Sequence, residues 1–197
     1  MVEVSSTMLP LGTQMPPFEL PDFDGRIVSS SDYEGAPATL VMFICNHCPY
    51  VRHVRPALVW LAGEYRDRGV AVIAINSNDV AAYPQDGPDG MRDEAKQAGY
   101  LFPYLFDASQ QVAKAYRAAC TPDFYVFDAG RRLAYRGQLD DTRPGSGREP
   151  TGKDLRRALD DVLAGRPVTA RQYPSAGCSI KWRPGNEPRY ELKRLLH

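Results

Sequence analysis

An unbroken apolar run, Thr39-Leu-Val-Met-Phe-Ile44, passes directly into Cys45-Asn-His-Cys48, and a segment of helical period starts at once behind it. This junction constrains the chain more than any other feature. The run is continuous rather than alternating, which suits a central strand covered on both faces. Val51, Val54, Leu58, Leu61 and Tyr65 then recur at steps of three and four and share one face of a helix. Pro49 fits the first helical turn, where a missing N–H costs nothing, Pro56 falls inside and is expected to kink the helix, and Gly69 ends it. Val70 to Ile75 reads as a second buried strand, so two cysteines stand at the mouth of the helix in a strand-helix-strand unit.

The rest of the chain extends that unit. Phe124-Tyr-Val-Phe127 reads as a third buried strand, Asp128-Ala-Gly-Arg131 as a turn, and Leu133 to Gly137 as a strand returning antiparallel. Met91–Ala98 and Ser109–Tyr116 read as short helices. The last helix carries a buried stripe of Leu155, Ala158, Leu159, Val162 and Leu163; Thr151-Gly-Lys-Asp154 resembles its capping box, and Gly165 with Pro167 stops it. A parallel or mixed sheet follows, and 197 residues suit one core. The expected organisation is one domain over 1–197, with its core at about 38–165, an extension at 1–37 and a tail at 168–197.

Charge and leader signals exclude other classes. Lys plus Arg (24) balances Asp plus Glu (24), so no net field favours nucleic acid or an anionic membrane. No apolar run approaches the ~18–20 residues of a membrane span, and Met1 to Pro10 lacks a basic leader followed by an apolar stretch. A cytoplasmic location is the expectation. Four cysteines are too few for a disulfide scaffold, so in a reducing compartment they need another explanation.

That explanation lies in the helix start. Unpaired N–H groups and the positive end of the dipole stabilise an anion there, and a thiolate is one. Cys45 is expected to be the more exposed and more acidic sulfur, with Cys48, about a turn in, covered and able to resolve a mixed disulfide. His47 would add a positive charge beside Cys45. A fall from ~8.5 to ~6.5 would raise the thiolate fraction at pH 7 about 25-fold, yet the accompanying loss of nucleophilicity leaves roughly a two- to threefold kinetic gain. The same shift is worth only ~20 mV, so His47 alone does not decide between an oxidant and a reductant. The second element is Cys120-Thr121-Pro122, directly before the strand at 124–127. By itself Pro122 is equally a plain edge residue.

Together these residues resemble the thioredoxin-fold superfamily over about 38–165, and with the extension and the long 76–118 region the AhpC/TSA and TlpA-like branch. Ile44-Cys-Asn-His-Cys-Pro-Tyr-Val51 with Pro174-Ser-Ala-Gly-Cys-Ser-Ile-Lys-Trp182 resembles a group of thioredoxin family proteins. The resemblance implies a three-layer α/β/α sandwich around a mixed sheet. It implies a thiol-disulfide oxidoreductase with Cys45 attacking, Cys48 resolving, His47 tuning, and a cis Thr121–Pro122 peptide whose neighbouring backbone pairs with substrate. Asn46, Thr121 and Asn76 are the candidates for substrate contact. The sequence departs from the family pattern in having Ile44 where Trp is familiar, no proline between the cysteines, and Pro56 eight rather than five residues after Cys48. His before the second cysteine is similar to the dipeptides of disulfide isomerases and DsbA. Partners would be protein or small-molecule disulfides and a separate electron donor or acceptor. No cofactor is required, since the dithiol carries the electrons.

Alternatives use the same residues. A peroxidatic cysteine of the peroxiredoxin kind needs Pro and Thr at seven and three residues before it; Ala38 and Met42 precede Cys45, and Val41 and Cys45 precede Cys48, so neither frame fits. Cys45, His47, Cys48 and Cys178 are soft ligands suited to copper or zinc. A fixed, redox-inactive pair is the bland reading. Cys120 and Cys178 are candidate additional redox thiols, read first as packing residues. His53, Arg52, Arg55 and Lys181 read as a solvated face or a basic rim, and Tyr173, Trp182 and Tyr190 as cover for the core.

Overall fold

The computed structural model describes residues 3–190. In chain order the elements are β1 (Glu3–Ser5), β2 (Glu19–Pro21), β3 (Ile27–Ser29), β4 (Ala38–Phe43), α1 (Pro49–Asp67), β5 (Ala71–Asn76), α2 (Pro88–Ala98), β6 (Tyr104–Phe106), α3 (Gln111–Ala115), β7 (Cys120–Thr121), β8 (Asp123–Asp128), β9 (Leu133–Gly137), α4 (Lys153–Leu163) and β10 (Ala176–Ser179). The central sheet runs β6-β5-β4-β8-β9, parallel between β4, β5 and β6 and antiparallel at β4–β8 and β8–β9. It is the expected mixed α/β sheet flanked by helices. Among the described residues no helix is long and apolar enough to cross a membrane.

The continuous apolar runs are explained by a core on each face. Leu40 and Met42 of β4 join Leu58, Leu61, Tyr65, Leu155 and Leu159 beneath α1 and α4. Val41 and Phe43, pointing the other way, join Val112, Tyr116, Leu9, Phe18 and Val28 beneath α3 and the N-terminal segment. Leu40, Leu58, Leu61 and Leu159 are fully buried, and each contributes about 1.5–3 kcal/mol by leaving water. Pro56 lies inside α1, and the helix runs through it from Pro49 to Asp67 without a break.

Two local expectations are corrected. Thr151 does not cap α4: the N-cap is Gly152, at φ 71°, and no side chain of its own supplies the acceptor. The Leu139 carbonyl does so from outside the helix, accepting the N–H groups of Asp154 and Leu155 (3.2 Å each), and Asp140 Oδ2 holds the approach to the cap by accepting the N–H groups of Thr151 (2.7 Å) and Gly152 (2.8 Å). The tail also holds a strand, β10, which lies between β1 and β7 in a second, three-stranded sheet. Cys178 stands opposite Thr121 and Ser179 opposite Cys120. The backbone edge beside Thr121–Pro122, expected to receive substrate, is therefore paired with the chain's own tail. Trp182 packs on the second core and the Tyr190 hydroxyl donates to the Ala118 carbonyl at 2.7 Å, whereas Tyr173 is half exposed.

Candidate active site

β4 delivers the motif to the end of the sheet, where the Ile44 N–H bonds to the Ile75 carbonyl at 3.1 Å. α1 begins at Pro49, so its N-cap is Cys48, not Cys45. The sulfur at the helix start is thus the second cysteine of the pair. All four cysteines are thiols, and Cys45, Cys48 and Cys178 are all buried. Thr121, joined to Pro122 by a cis peptide, meets both motif cysteines: its Oγ1 lies 3.4 Å from Cys45 Sγ, and its carbonyl accepts from the Cys48 thiol at 3.2 Å.

The expected order of acidity is reversed. Cys48 is held far below the usual thiol range because the Cys178 thiol, then the Cys45 thiol, offer it hydrogen bonds. Cys45 is pushed up by donating to Cys48, by burial and by the nearby Asp86 carboxylate. Cys178 is pushed up by donating to Cys48 and by burial. Of the three sulfurs Cys48, at the positive end of α1, is the one that ionises first, and on ionising it gives up the hydrogen bond that its thiol donates to the Thr121 carbonyl.

Asp86 is the residue that reading the sequence missed. Fully buried in a short turn, its Oδ1 accepts the Asn46 N–H (3.0 Å), and its Oδ2 accepts from His47 Nδ1 (2.6 Å) and Asn78 Nδ2 (2.8 Å). His47, stacked on Tyr83 with centroids 5.3 Å apart, therefore serves the carboxylate rather than Cys45. Asn46 gives its Nδ2 to the Gln85 carbonyl (2.8 Å) and accepts from the Tyr104 hydroxyl (2.9 Å). Asn76 gives its Nδ2 to the Asp86 carbonyl (2.6 Å). Both candidate substrate residues thus hold the turn that carries Asp86. Gly90 lets α2 approach it, since a β-carbon there would overlap the Gln85 carbonyl. The one sequence signal was the turn composition of Pro84-Gln-Asp-Gly-Pro88.

The two extra cysteines separate. Residues directly opposite in an antiparallel pair share a face, so Cys178 lies on the Thr121 side with the dithiol, while Cys120 lies on the other side with Val4 and Ala119. The Cys120 thiol is pushed up by burial and faces the Pro122 and Ser175 carbonyls at 3.8 and 4.0 Å. The basic groups are engaged elsewhere: Arg52 bonds the Asn46 carbonyl (3.2 Å), His53 pairs with Thr142 (3.0 Å), Arg55 with Glu94 (2.6 Å), and Lys181 with the Ser179 carbonyl (2.7 Å).

A CxxC at the joint of a central strand and a helix, faced by a cis-proline loop, defines a thioredoxin-fold protein of the dithiol type. The AhpC/TSA family model matches residues 11–136, and the chain belongs to the AhpC/TSA family. Thiol-disulfide oxidoreductase ResA of Halalkalibacterium halodurans is 30% identical over 105 residues, which span 53% of this chain and 55% of that protein. The crystal structure of an uncharacterized conserved protein from Geobacillus kaustophilus is similar at 55% identity and a TM-score of 0.91, covering 93% of this chain and 98% of that one. A hypothetical protein from Sinorhizobium meliloti 1021 matches at 51% identity and a TM-score of 0.90, covering 91% and 98%. The thioredoxin domain of a thiol-disulfide oxidoreductase from Bacteroides vulgatus shares the fold, with a TM-score of 0.59 at 16% identity, covering 77% and 99%.

Proposed function

We propose that the protein is a thiol-disulfide oxidoreductase whose working pair is Cys45 and Cys48. The observation that carries this reading is the convergence of both thiols on Thr121, the residue joined to Pro122 by the cis peptide. Cys45, the first cysteine of the motif, attacks the substrate disulfide. Cys48 receives its proton along their hydrogen bond. One substrate sulfur is bound in a Cys45 mixed disulfide and the other leaves as a thiolate, which takes up that proton. Cys48, again a thiolate, then attacks the Cys45 sulfur; the Cys45–Cys48 bond forms, the mixed disulfide breaks, and the second substrate sulfur leaves as a thiolate that takes a proton from solvent. The lowered pKa of Cys48 suits this second step, because it eases loss of the proton that Cys48 took from Cys45.

The substrate class is a protein or small-molecule disulfide, and a separate thiol partner restores the dithiol by the same exchange. A recess lined by Tyr50, His53, Pro122, Thr142 and Arg143 adjoins the cis peptide and offers room beside it. Insulin-disulfide reduction coupled to a thiol reductant tests the reading. Turnover by the wild type and its loss in Cys45→Ser are expected; equal turnover by Cys45→Ser would overturn it.

A second reading has one observation in its favour: a sulfur of Cys45, a ring nitrogen of His47 and an oxygen of Asp86 lie within 4.8 Å of one another, a donor set suited to zinc. Zinc titration followed by alkylation decides it. Stoichiometric zinc that protects Cys45 would support a metal site, and unchanged Cys45 alkylation would remove it.

A further inference from the structure

Cys178 lies far from the motif in sequence, yet three observations seat it against the dithiol. In the β10–β7 pair it stands opposite Thr121, the same residue whose carbonyl and hydroxyl meet Cys48 and Cys45. Its side chain lies in the same buried cluster as Cys45 and Cys48, and its thiol and that of Cys48 shift one another in opposite directions. The residue before it is Gly177, where a β-carbon would overlap the Thr121 carbonyl and lie 3.3 Å from the Pro122 nitrogen. Only glycine lets β10 come this close to the cis peptide.

The seat is also fixed beyond the cysteine. The Ile180 N–H bonds to the Ala119 carbonyl (3.0 Å) and the Lys181 N–H to Asn78 Oδ1 (2.9 Å), while the Asp79 N–H bonds to the Lys181 carbonyl (2.8 Å). Asn78 is the residue that also donates to Asp86. The tail, the Asp86 turn and the dithiol are thus one hydrogen-bonded assembly.

We propose that Cys178 is a third redox thiol of this site, which takes over the bond to Cys48 from Cys45 by intramolecular thiol-disulfide exchange. The proposal rests on the oxidoreductase reading above. Starting from the Cys45–Cys48 disulfide, the Cys178 sulfur attacks Cys48; the Cys48–Cys178 bond forms, the Cys45–Cys48 bond breaks, and the proton lost by Cys178 goes to Cys45. One disulfide replaces another, so the molecule stays at the same oxidation level and no external oxidant or reductant enters. Because β10 already holds Cys178 against Cys48, the step needs no encounter and no ordering of chain. The product carries its disulfide on the tail strand and presents Cys45 as a thiol, ready for a second attack.

The test is peptide mass spectrometry of disulfide pairs in the wild type, Cys45→Ser and Cys178→Ala proteins, oxidised in a glutathione buffer, quenched with acid and alkylated. The oxidised wild type is expected to give both Cys45–Cys48 and Cys48–Cys178 peptides. Cys45→Ser is expected to give Cys48–Cys178 in most molecules, and Cys178→Ala to give Cys45–Cys48 alone. Cys45–Cys48 without any Cys48–Cys178 in the wild type, with Cys48 of Cys45→Ser found as a glutathione adduct or a free thiol, would overturn this inference and leave the oxidoreductase reading standing. Failure of the wild type to form either Cys45–Cys48 or Cys48–Cys178 would overturn both. The wild-type measurement stands whether or not either variant folds.

Discussion

Asp86 Oδ2 lies 2.6 Å from His47 Nδ1, so the imidazole inside the Cys-Asn-His-Cys motif is hydrogen-bonded to a buried carboxyl group and not to the sulfur two residues before it. The same carboxylate accepts the Asn46 N–H at 3.0 Å. The charge delivered next to Cys45 is accordingly negative, and the acidic sulfur is found one helical turn on, at the N-cap. The site separates its two buried thiols by environment: the Cys45 pKa is pushed up and the Cys48 pKa is pulled down.

Asp86→Asn tests the first half of that separation. Cys45 is pushed up by its hydrogen bond to Cys48, by burial and by Asp86. Removing the carboxylate charge leaves the first two causes and should lower the pH at which Cys45 becomes reactive. Its iodoacetamide rate at pH 7, followed by mass spectrometry, is expected to rise. A buried amide cannot accept from all of the donors that converge on Asp86, so a loss of about 1–3 kcal/mol in stability should accompany the change. A Cys45 rate profile that stays put or moves to higher pH would show that Asp86 does not set its charge environment.

Asp123 supplies a pH dependence outside the dithiol. Burial pushes this carboxyl up to about 7, against which the hydrogen bond from the Tyr125 hydroxyl (2.9 Å) acts only in part. The unfolded chain would ionise it near ~3.9. Between those values the native state holds a proton that the unfolded state has released, so this group's contribution is fully present below about pH 4 and is lost as pH rises through 7. The shift corresponds to something on the order of 4 kcal/mol across the window. Urea midpoints at pH 5 and pH 8 should fall in the wild type by more than in Asp123→Asn. An equal fall in both proteins would show that Asp123 is ionised throughout.

How much of this was legible in the sequence depended on the range of the forces involved. The β4-to-α1 junction was readable because an apolar run and a helical stripe are local patterns, and burial on both faces of β4 follows from continuity alone. The sheet partners β8 and β9 were readable for the same reason, through the turn at Asp128 to Arg131. β10 was not, because Ala-Gly-Cys-Ser has no β-branched or aromatic residue and exists as a strand only by pairing with β1 and β7. Asp86 sat in a polar turn with nothing to distinguish it, since its role is set by Asn46, 40 residues earlier. The acidities of Cys45 and Cys48 were not legible either, because they are set by Cys178, 130 residues beyond Cys48, and by Asp86 in its distant turn.

The cap of α4 offers a comparison between a local pattern and a long-range contact. Asp140 accepts the N–H groups of Thr151 and Gly152 and also holds the Thr142 N–H (2.9 Å) and hydroxyl (2.6 Å). Asp140→Ala should therefore destabilise the protein by about 2 kcal/mol or more, because it leaves the buried donors of Thr142, Thr151 and Gly152 unsatisfied and frees the segment that leads into the cap. Thr151→Ala should stay within about 0.5 kcal/mol, because that side chain caps nothing. Denaturant midpoints for the two variants, measured side by side, decide between them; the opposite ranking would restore Thr151 as the cap.

Gly177→Ala isolates the close approach of the tail. Gly177 is outside the left-handed region, so alanine introduces no backbone strain there, and the only obstacle is the overlap of the new methyl with the Thr121 carbonyl. Both sides of that overlap are backbone, and neither can rotate away. β10 must therefore lift from β7, which loosens its seat over Cys45 and Cys48 while the pairing of the central sheet is left as it is. If lifting makes local opening easier by about 1.4 kcal/mol, thiol alkylation limited by that opening speeds up by roughly tenfold. The expected outcome is faster alkylation of Cys45, Cys48 and Cys178 together, with Cys120 following more slowly from its own side of the sheet. Unchanged rates at all four cysteines would mean that β10 accommodates the methyl and does not control access to the dithiol.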